Sequence, residues 1–170
     1  MTKRLQNIVR MLPADWGEGY PNVWLGITAE DAERFRMRWP VLARIPAAVH
    51  FVSYEPAIAL LGAIDIGWAN CLPDWIICGG ESGGHARLMH PTWARHVRDQ
   101  CQALGIAFFH KQWGTYRSNP LVQEDGLSLA EAEGRDPRTN GKGGALLDGR
   151  LHRDFPGEIT STRVRIALPQ

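Results

Sequence analysis

The chain predicts an α/β fold built on a parallel sheet. Short apolar stretches rich in β-branched and aromatic residues recur between residues 22 and 114, and helical patterns alternate with them. Each apolar stretch also finishes in polar or glycine residues. That pattern belongs to parallel sheets, whose strand carboxyl ends share one ligand-binding face.

The first strand is read in "NVWLGIT" (22–28), and "AEDAERFRMRWPVLARI" (29–45) follows as a helix. Its acidic first turn and later arginines complement the helix dipole. Pro40 is expected to break or kink it. "AVHFVSYEP" (48–56) and "DWIICGGES" (74–82) are the second and third strands. "HPTWARHVRDQCQALG" (90–105) is a helix closed by Gly105, and "IAFFHKQWG" (106–114) is the last strand.

From Leu121 the chain turns polar and glycine-rich, with one short helical piece at Ser128 to Glu133. "ALLDGRLHRDFP" (145–156) reads as a hairpin around Asp148-Gly149, and the tail after Pro156 as a loose strand or extension. One domain spanning 1–170 is expected: β/α units in 1–114, a surface excursion in 115–144, and a hairpin and tail in 145–170.

With 170 residues, 44% of them apolar, a single core is sufficient. The 19 basic and 18 acidic side chains leave a net charge of +1, so composition does not indicate nucleic acid as a partner. Arg34, Arg36, Arg38, Arg87, Arg95 and Arg98 have acidic neighbours that dilute them. No apolar run reaches the roughly 20 residues of a membrane span. "MTKRLQNIVRMLP" lacks the features of a signal peptide, so a cytoplasmic location is expected.

Cys71, Cys78 and Cys101 form no Cys-x-x-Cys pair, which argues against a disulfide framework and against a self-contained zinc or iron–sulfur site. They are read as reduced, packed thiols. His50, His85, His90 and His96 lack metal-ligand spacing, so no metal site is expected. Trp24, Trp75 and Trp113 are assigned to core packing rather than to base stacking. "TNGKGG" (139–144) is not a phosphate loop.

The candidate chemistry lies at the strand ends: Thr28 with Glu30, Ser53 with Glu55, Gly79-Gly80-Glu81-Ser82, and His110-Lys111-Gln112. Gly79, Gly80, Glu81, Ser82 and Gly83 are the candidate cofactor-binding residues, because glycines expose backbone donors and Glu81 can hold an amine or hydroxyl. The plainer alternative is a turn whose glycines permit positive φ, with Glu81 in solvent. Glu55, extended by the following Pro56, is either a carboxylate aimed across the strand ends or a surface acid. Lys111 either binds an anion or pairs with Glu55 or Glu81. Glu55, Glu81 and Lys111 are the catalytic candidates.

"PNVWLGITAE", "IPAAVHFVSYEP", "DWIICGGESGGHARLMHPTWARHVRDQCQALGIAFFHKQWG" and "LLDGRLHRDFP", in that order, resemble the carboxyl-terminal half of a phage-associated protein family of unknown function. Its full-length members are similar to radical-SAM barrel proteins. The resemblance covers nearly all of residues 2 to 156. It implies an incomplete parallel (β/α) barrel, about the last four β/α units of a TIM-type barrel, with "TKR" (2–4) as the tip of a preceding strand.

The family's amino-terminal half, with its cysteine cluster ending in Cys-x-x-Cys-Tyr-Ala, has no counterpart here. Cys78 stands where an aliphatic residue is usual, and Tyr54 where the family often has cysteine. The resemblance therefore implies S-adenosylmethionine as a possible cofactor and no iron–sulfur cluster on this chain. Radical-SAM-like catalysis would require a cluster-bearing partner.

A half barrel leaves two sheet edges and an apolar inner face to cover. Self-association, a separately encoded amino-terminal half, or survival as an inactive remnant of a truncated gene are the expectations. An enzyme component, a non-catalytic ligand-binding module and an interaction protein of a phage are the corresponding functions.

Overall fold

In the computed structural model of the protein, which describes residues 1–3, 7–65, 67, 71–137 and 142–157, the four expected strands pair in chain order. They are β1 (Leu25–Thr28), β2 (His50–Tyr54), β3 (Trp75–Gly79) and β4 (Ala107–Gln112), all parallel. Each lies inside the stretch its sequence marked out. Helix α1 (Ile8–Met11) precedes them, α2 (Ala32–Leu42) follows β1, and α3 (Pro91–Leu104) leads into β4. After β4 come a 3-10 turn (Tyr116–Ser118), α4 (Pro120–Gln123) and α5 (Leu129–Arg135). No helix among the described residues is long and apolar enough to cross a membrane.

The helix boundaries follow from their caps. Asp31 accepts a hydrogen bond from the Arg34 amide at 2.9 Å and starts α2. Pro40 does not break this helix, which runs on to Leu42. It lies in the last turn, where its ring removes only the bond its own nitrogen would have donated. Gly105, at φ 68°, closes α3 in the left-handed region as expected. Ser128 and Glu131 form a reciprocal capping box at α5, which extends two residues past the expected end.

One expectation fails between β2 and β3. The described residues of that connection contain no α-helix, so β2 lacks the helix that follows each of the other strands. The segment is held instead by Gln100 of α3, whose amide donates to the Gly62 carbonyl at 3.0 Å and accepts from the Ile64 amide at 2.7 Å. Leu61 and Ile64 are buried by this clamp.

Both long helices pack on one sheet face. Ile27, Val52, Tyr54, Ile76, Cys78 and Phe108 alternate toward it and form one core with Phe35, Trp39 and Leu42 of α2 and Ala94, Val97 and Cys101 of α3. Right-handed crossovers that advance in one direction along a sheet place all their helices on one side. The opposite face carries Gly26, Phe51, Ser53, Trp75, Ile77, Phe109 and Lys111, none of which belongs to that core. Gly26 is fixed by packing there, since a Cβ would sit 2.2 Å from the Phe51 ring.

Aromatic rings fill this second face. Trp75 contacts Trp24 and Phe51 with centroids at 5.9 Å, Phe109 at 5.9 Å and Phe155 at 5.3 Å. Core packing therefore explains Trp113, which is fully buried, but not Trp24, which is 41% exposed.

The sheet edges differ from each other. At β1, Thr2 forms a parallel bridge to Ile27 and donates to the Gly26 carbonyl at 3.1 Å, in agreement with a strand tip; Arg4 lies outside the described residues. At β4, Arg153 bridges Phe109 antiparallel, flanked by His110 N to His152 O at 3.0 Å and Asp154 N to Phe108 O at 3.1 Å. The segment His152–Asp154 thus occupies the β4 edge.

The hairpin forms where expected: Leu147 and Arg150 pair across Asp148 (φ 52°) and Gly149 (φ 73°), the positive pair a type I′ turn requires. The tail from Glu158 lies outside the described residues. The excursion is folded back at both ends, because Ser118, Asn119, Ala132, Asp136, Gly143 and Gly144 are buried.

Candidate functional site

Glu55, just beyond β2, is the centre of the polar end of the sheet face opposite the long helices. Its carboxylate accepts from Lys111 Nζ at 3.0 and 3.1 Å and from Gln112 Nε2 at 3.2 Å. Consecutive strand residues normally point to opposite faces, so two neighbours on one carboxylate need a distortion. The register supplies it: Cys78 opposes His110, but Gly79 opposes Gln112, leaving Lys111 as the extra residue of a bulge. Gly79 leaves room for the carboxylate, since a Cβ there would stand 3.1 Å from Glu55 Oε1. Lys111 is about half exposed and Glu55 less so. Of the two expected partners, Lys111 takes Glu55.

The Gly-Gly-Glu-Ser-Gly segment has a structural explanation of its own. A Cβ on Gly80 would fall 2.0 Å from the Trp113 carbonyl, and one on Gly114 would fall 2.0 Å from the Glu81 carbonyl. Two backbone segments cross there in mutual contact, with Gly80 N donating to Gln112 O at 3.0 Å. Gly80 serves this crossing by close approach alone, while Gly114, at φ 80°, combines close approach with the left-handed backbone. Gly83, at φ 118°, is the residue of the segment that uses that freedom.

Glu81 is ion-paired rather than free in solvent. Arg87 Nε and the Arg87 amide donate to Oε2 at 2.8 Å, and Arg87 Nη2 donates to Oε1 at 2.8 Å. These side-chain and backbone hydrogen bonds outweigh desolvation and hold the Glu81 carboxyl down at about 2. Ser82 and Gly83 are exposed, and Lys142 Nζ reaches Ser82 Oγ at 3.4 Å. Gly83 and Gly84 have open space around them.

The β1 end forms a separate cluster. Glu30 pairs with Lys3 at 2.6 Å and Arg38 at 2.8 Å, and Arg38 also donates to the Thr28 carbonyl at 2.7 Å. Burial pushes the Glu30 carboxyl up, but the Lys3 hydrogen bond, its own backbone amide and the two cations bring it below the ordinary value. At the β4 end, His110 is fully buried against Trp113, with ring centroids 4.4 Å apart, and neither ring nitrogen has a hydrogen-bond partner among the described residues. Thus Glu55, Lys111 and Gln112 come together, while Glu81 belongs to a neighbouring pair.

Sequence reasoning placed Gln112 at a strand end without giving it a role, and passed over Arg87 as a partner for Glu81. A bulge leaves no periodic signature in one sequence, and Arg87 lies six residues from Glu81 in an irregular loop. Neither contact had a spacing to announce it.

The cysteines do not suit an iron–sulfur cluster. Cys78 and Cys101 are enclosed in the core, where burial pushes both thiols up, and Cys71 is raised by burial and by Asp74. Among the described residues no three His, Cys, Asp or Glu side chains gather as a metal site. The Glu55–Lys111 end has a different donor set. It brings together one carboxylate, one ammonium and one side-chain amide, a set that can meet ligand groups of either charge.

No curated protein and no solved structure matches the chain. The family described as "Protein of unknown function (DUF5131)" matches residues 1–156, a span that holds the whole sheet, the Glu55–Lys111 pair and the Gly80–Gly114 crossing. The chain is therefore a member of the DUF5131 family.

Proposed function

We propose that the protein is part of an incomplete β/α barrel of the radical-SAM-like kind and acts as its ligand-binding portion, with Glu55, Lys111 and Gln112 at the binding end. The bulge at Lys111 is the observation that carries this. It turns two successive β4 residues onto one carboxylate at the carboxyl end of the face opposite the long helices, and bulges recur beside functional sites because they re-aim side chains. The chain-order parallel sheet, clothed by helices on one face only, supports the barrel reading.

In this reading Glu55 receives the ligand's cationic group and Lys111 its anionic group, in exchange for each other. Gln112 holds Glu55 in place by bridging it to the Gly80 carbonyl at 3.2 Å. S-adenosylmethionine supplies a sulfonium centre whose carbon–sulfur bond a reduced cluster cleaves. No step of that kind is assigned to this chain, because its thiols do not suit the cluster, and a partner would have to bring it.

In this reading such an assembly serves a phage function, and the resemblance to a phage-associated family is what supports that. A non-catalytic module is the second reading. The Gly80–Gly114 crossing and the Glu81–Arg87 pair favour it, since both account for expected site residues without a ligand.

Calorimetric titration of S-adenosylmethionine into oxygen-protected protein tests the proposal. Saturable binding is expected, weakened about tenfold or more by Glu55→Gln, a loss of about 1.4 kcal/mol. Glu81→Ala is expected to matter less, because Arg87 already engages that carboxylate. Absence of binding by the folded protein, or binding indifferent to Glu55→Gln, would leave the non-catalytic module.

A further inference from the structure

We infer that the exposed loop 82–85, just beyond β3, is the binding site of a phosphate group and is completed by Lys142. It stands apart from the ligand assigned to Glu55 and Lys111, since S-adenosylmethionine carries no phosphate. The observation behind it is a run of unused donors. Among the described residues, the amides of Ser82, Gly83, Gly84 and His85 donate to no group. Nearby amides are engaged: Gly80 N donates to Gln112 O at 3.0 Å, Ala86 N to Gly83 O at 3.3 Å and Arg87 N to Glu81 Oε2 at 2.8 Å. Successive backbone N–H groups in a turn, with no acceptor of their own, are the feature by which loops hold anions.

Charge then selects the ligand. At this end of the sheet Glu30 is already paired with Lys3 and Arg38, Glu55 with Lys111 and Glu81 with Arg87. Lys142 comes in addition. Its Nζ stands 3.4 Å from Ser82 Oγ, and among the described residues no carboxylate pairs with it. Amides, hydroxyl and ammonium together form a set of donors that lacks an acceptor, and it suits a ligand group whose outer atoms all accept. Phosphate, with several charged oxygens around one centre, meets more of these donors than a two-oxygen carboxylate does.

The loop leaves room for such a group. Gly83 uses its freedom for φ 118°, but Gly84 lies outside the left-handed region and a Cβ there would meet nothing within 4 Å. Nothing in the described chain requires glycine at that position, whereas the close approach of a ligand to the backbone does. The loop also lies at a strand carboxyl end, where parallel sheets bind their ligands. Gln112 links it to the first site, since its Nε2 donates at 3.2 Å both to Glu55 Oε1 and to the Gly80 carbonyl.

Titration of inorganic phosphate into isotope-labelled protein, followed amide by amide by NMR at constant ionic strength, tests this. Saturable shifts of the Ser82, Gly83, Gly84 and His85 amides are expected, with half-saturation on the order of 1 to 10 mM. Lys142→Gln should weaken binding about threefold or more, and Gly84→Asp, which the open backbone accommodates, should abolish it. Arg150→Gln, which removes one charge from the exposed hairpin instead, should leave it unchanged. A dispersed spectrum confirms that each variant is folded. Tighter binding of adenosine monophosphate through the same amides identifies a phosphate carried on a larger molecule, and equal binding identifies the free ion. The absence of saturable shifts overturns the inference, as do shifts that acetate reproduces equally or that both loop substitutions leave intact. S-adenosylmethionine binding through Glu55 is decided by its own titration and by neither of these outcomes.

Discussion

Asp136→Ala is expected to destabilise the protein by about 4 kcal/mol, because it removes the acceptor of two buried hydrogen bonds and one half-buried one at once. Asp136 has no exposed surface. Its Oδ1 accepts from the Ala145 amide at 3.0 Å, and its Oδ2 from the Leu146 amide at 3.0 Å and Asn119 Nδ2 at 2.8 Å. The Ala145 amide would be left as a buried donor, the costliest kind of omission, and the half-buried Leu146 amide would lose its acceptor too. Gly144, at φ 77°, exists to let this happen, since a Cβ would stand 2.2 Å from Asp136 Oδ2.

Such a loss is a large part of a typical folding free energy. Urea unfolding of the two proteins at pH 7 measures it, and a difference under about 1 kcal/mol would show that the amides find water instead. By contrast, the outer links from Arg95 to Glu124 and Asp148 are partly exposed and should contribute little.

Asp136 also shows where legibility in the sequence ended. The four strands, α2, α3 and the Asp148-Gly149 hairpin are governed by local signals: alternation, a capping aspartate, a left-handed glycine, a turn dipeptide. Those could be read. The 115–144 stretch carries the polar, glycine-rich composition of a loop, yet its ends are tied down by one carboxylate to amides nine and ten residues away. No periodicity reports a contact of that kind.

The candidate site divides in the same way. Glu55 and Lys111 were identifiable as polar strand ends, but their meeting depends on a bulge and on strand order, both of which are tertiary. Gly80 and Gly114 were visible as glycines, while their reason is a backbone crossing between distant segments. The absence of an α-helix from the described residues between β2 and β3 has a related cause. A long apolar connection can pack as irregular chain once Gln100 satisfies its backbone groups.

Acidification should expose the energetic consequence of His110. Its ring is fully buried, neither nitrogen has a partner among the described residues, and the charges that face it are the cation Arg153 and the neighbouring His152. Burial first, then those two groups, push it from the ordinary 6.5 down to about 3. Above pH 6.5 the imidazole is neutral in the native and unfolded chains alike. As the pH falls below 6.5 the unfolded chain takes up a proton that the native state refuses, so stability declines until the native pKa is reached.

At pH 4 this single group accounts for about 3 kcal/mol. His152, also lowered, mainly by burial, adds in the same direction. His110→Leu removes the titration along with two unpaired nitrogens, so it should be no less stable than wild type at pH 7 and should lose about 3 kcal/mol less between pH 7 and pH 4. Parallel urea unfolding at the two pH values reads that difference. Equal acid losses in the two proteins would mean that the imidazole is solvated, and that the β4 end opens to water in solution.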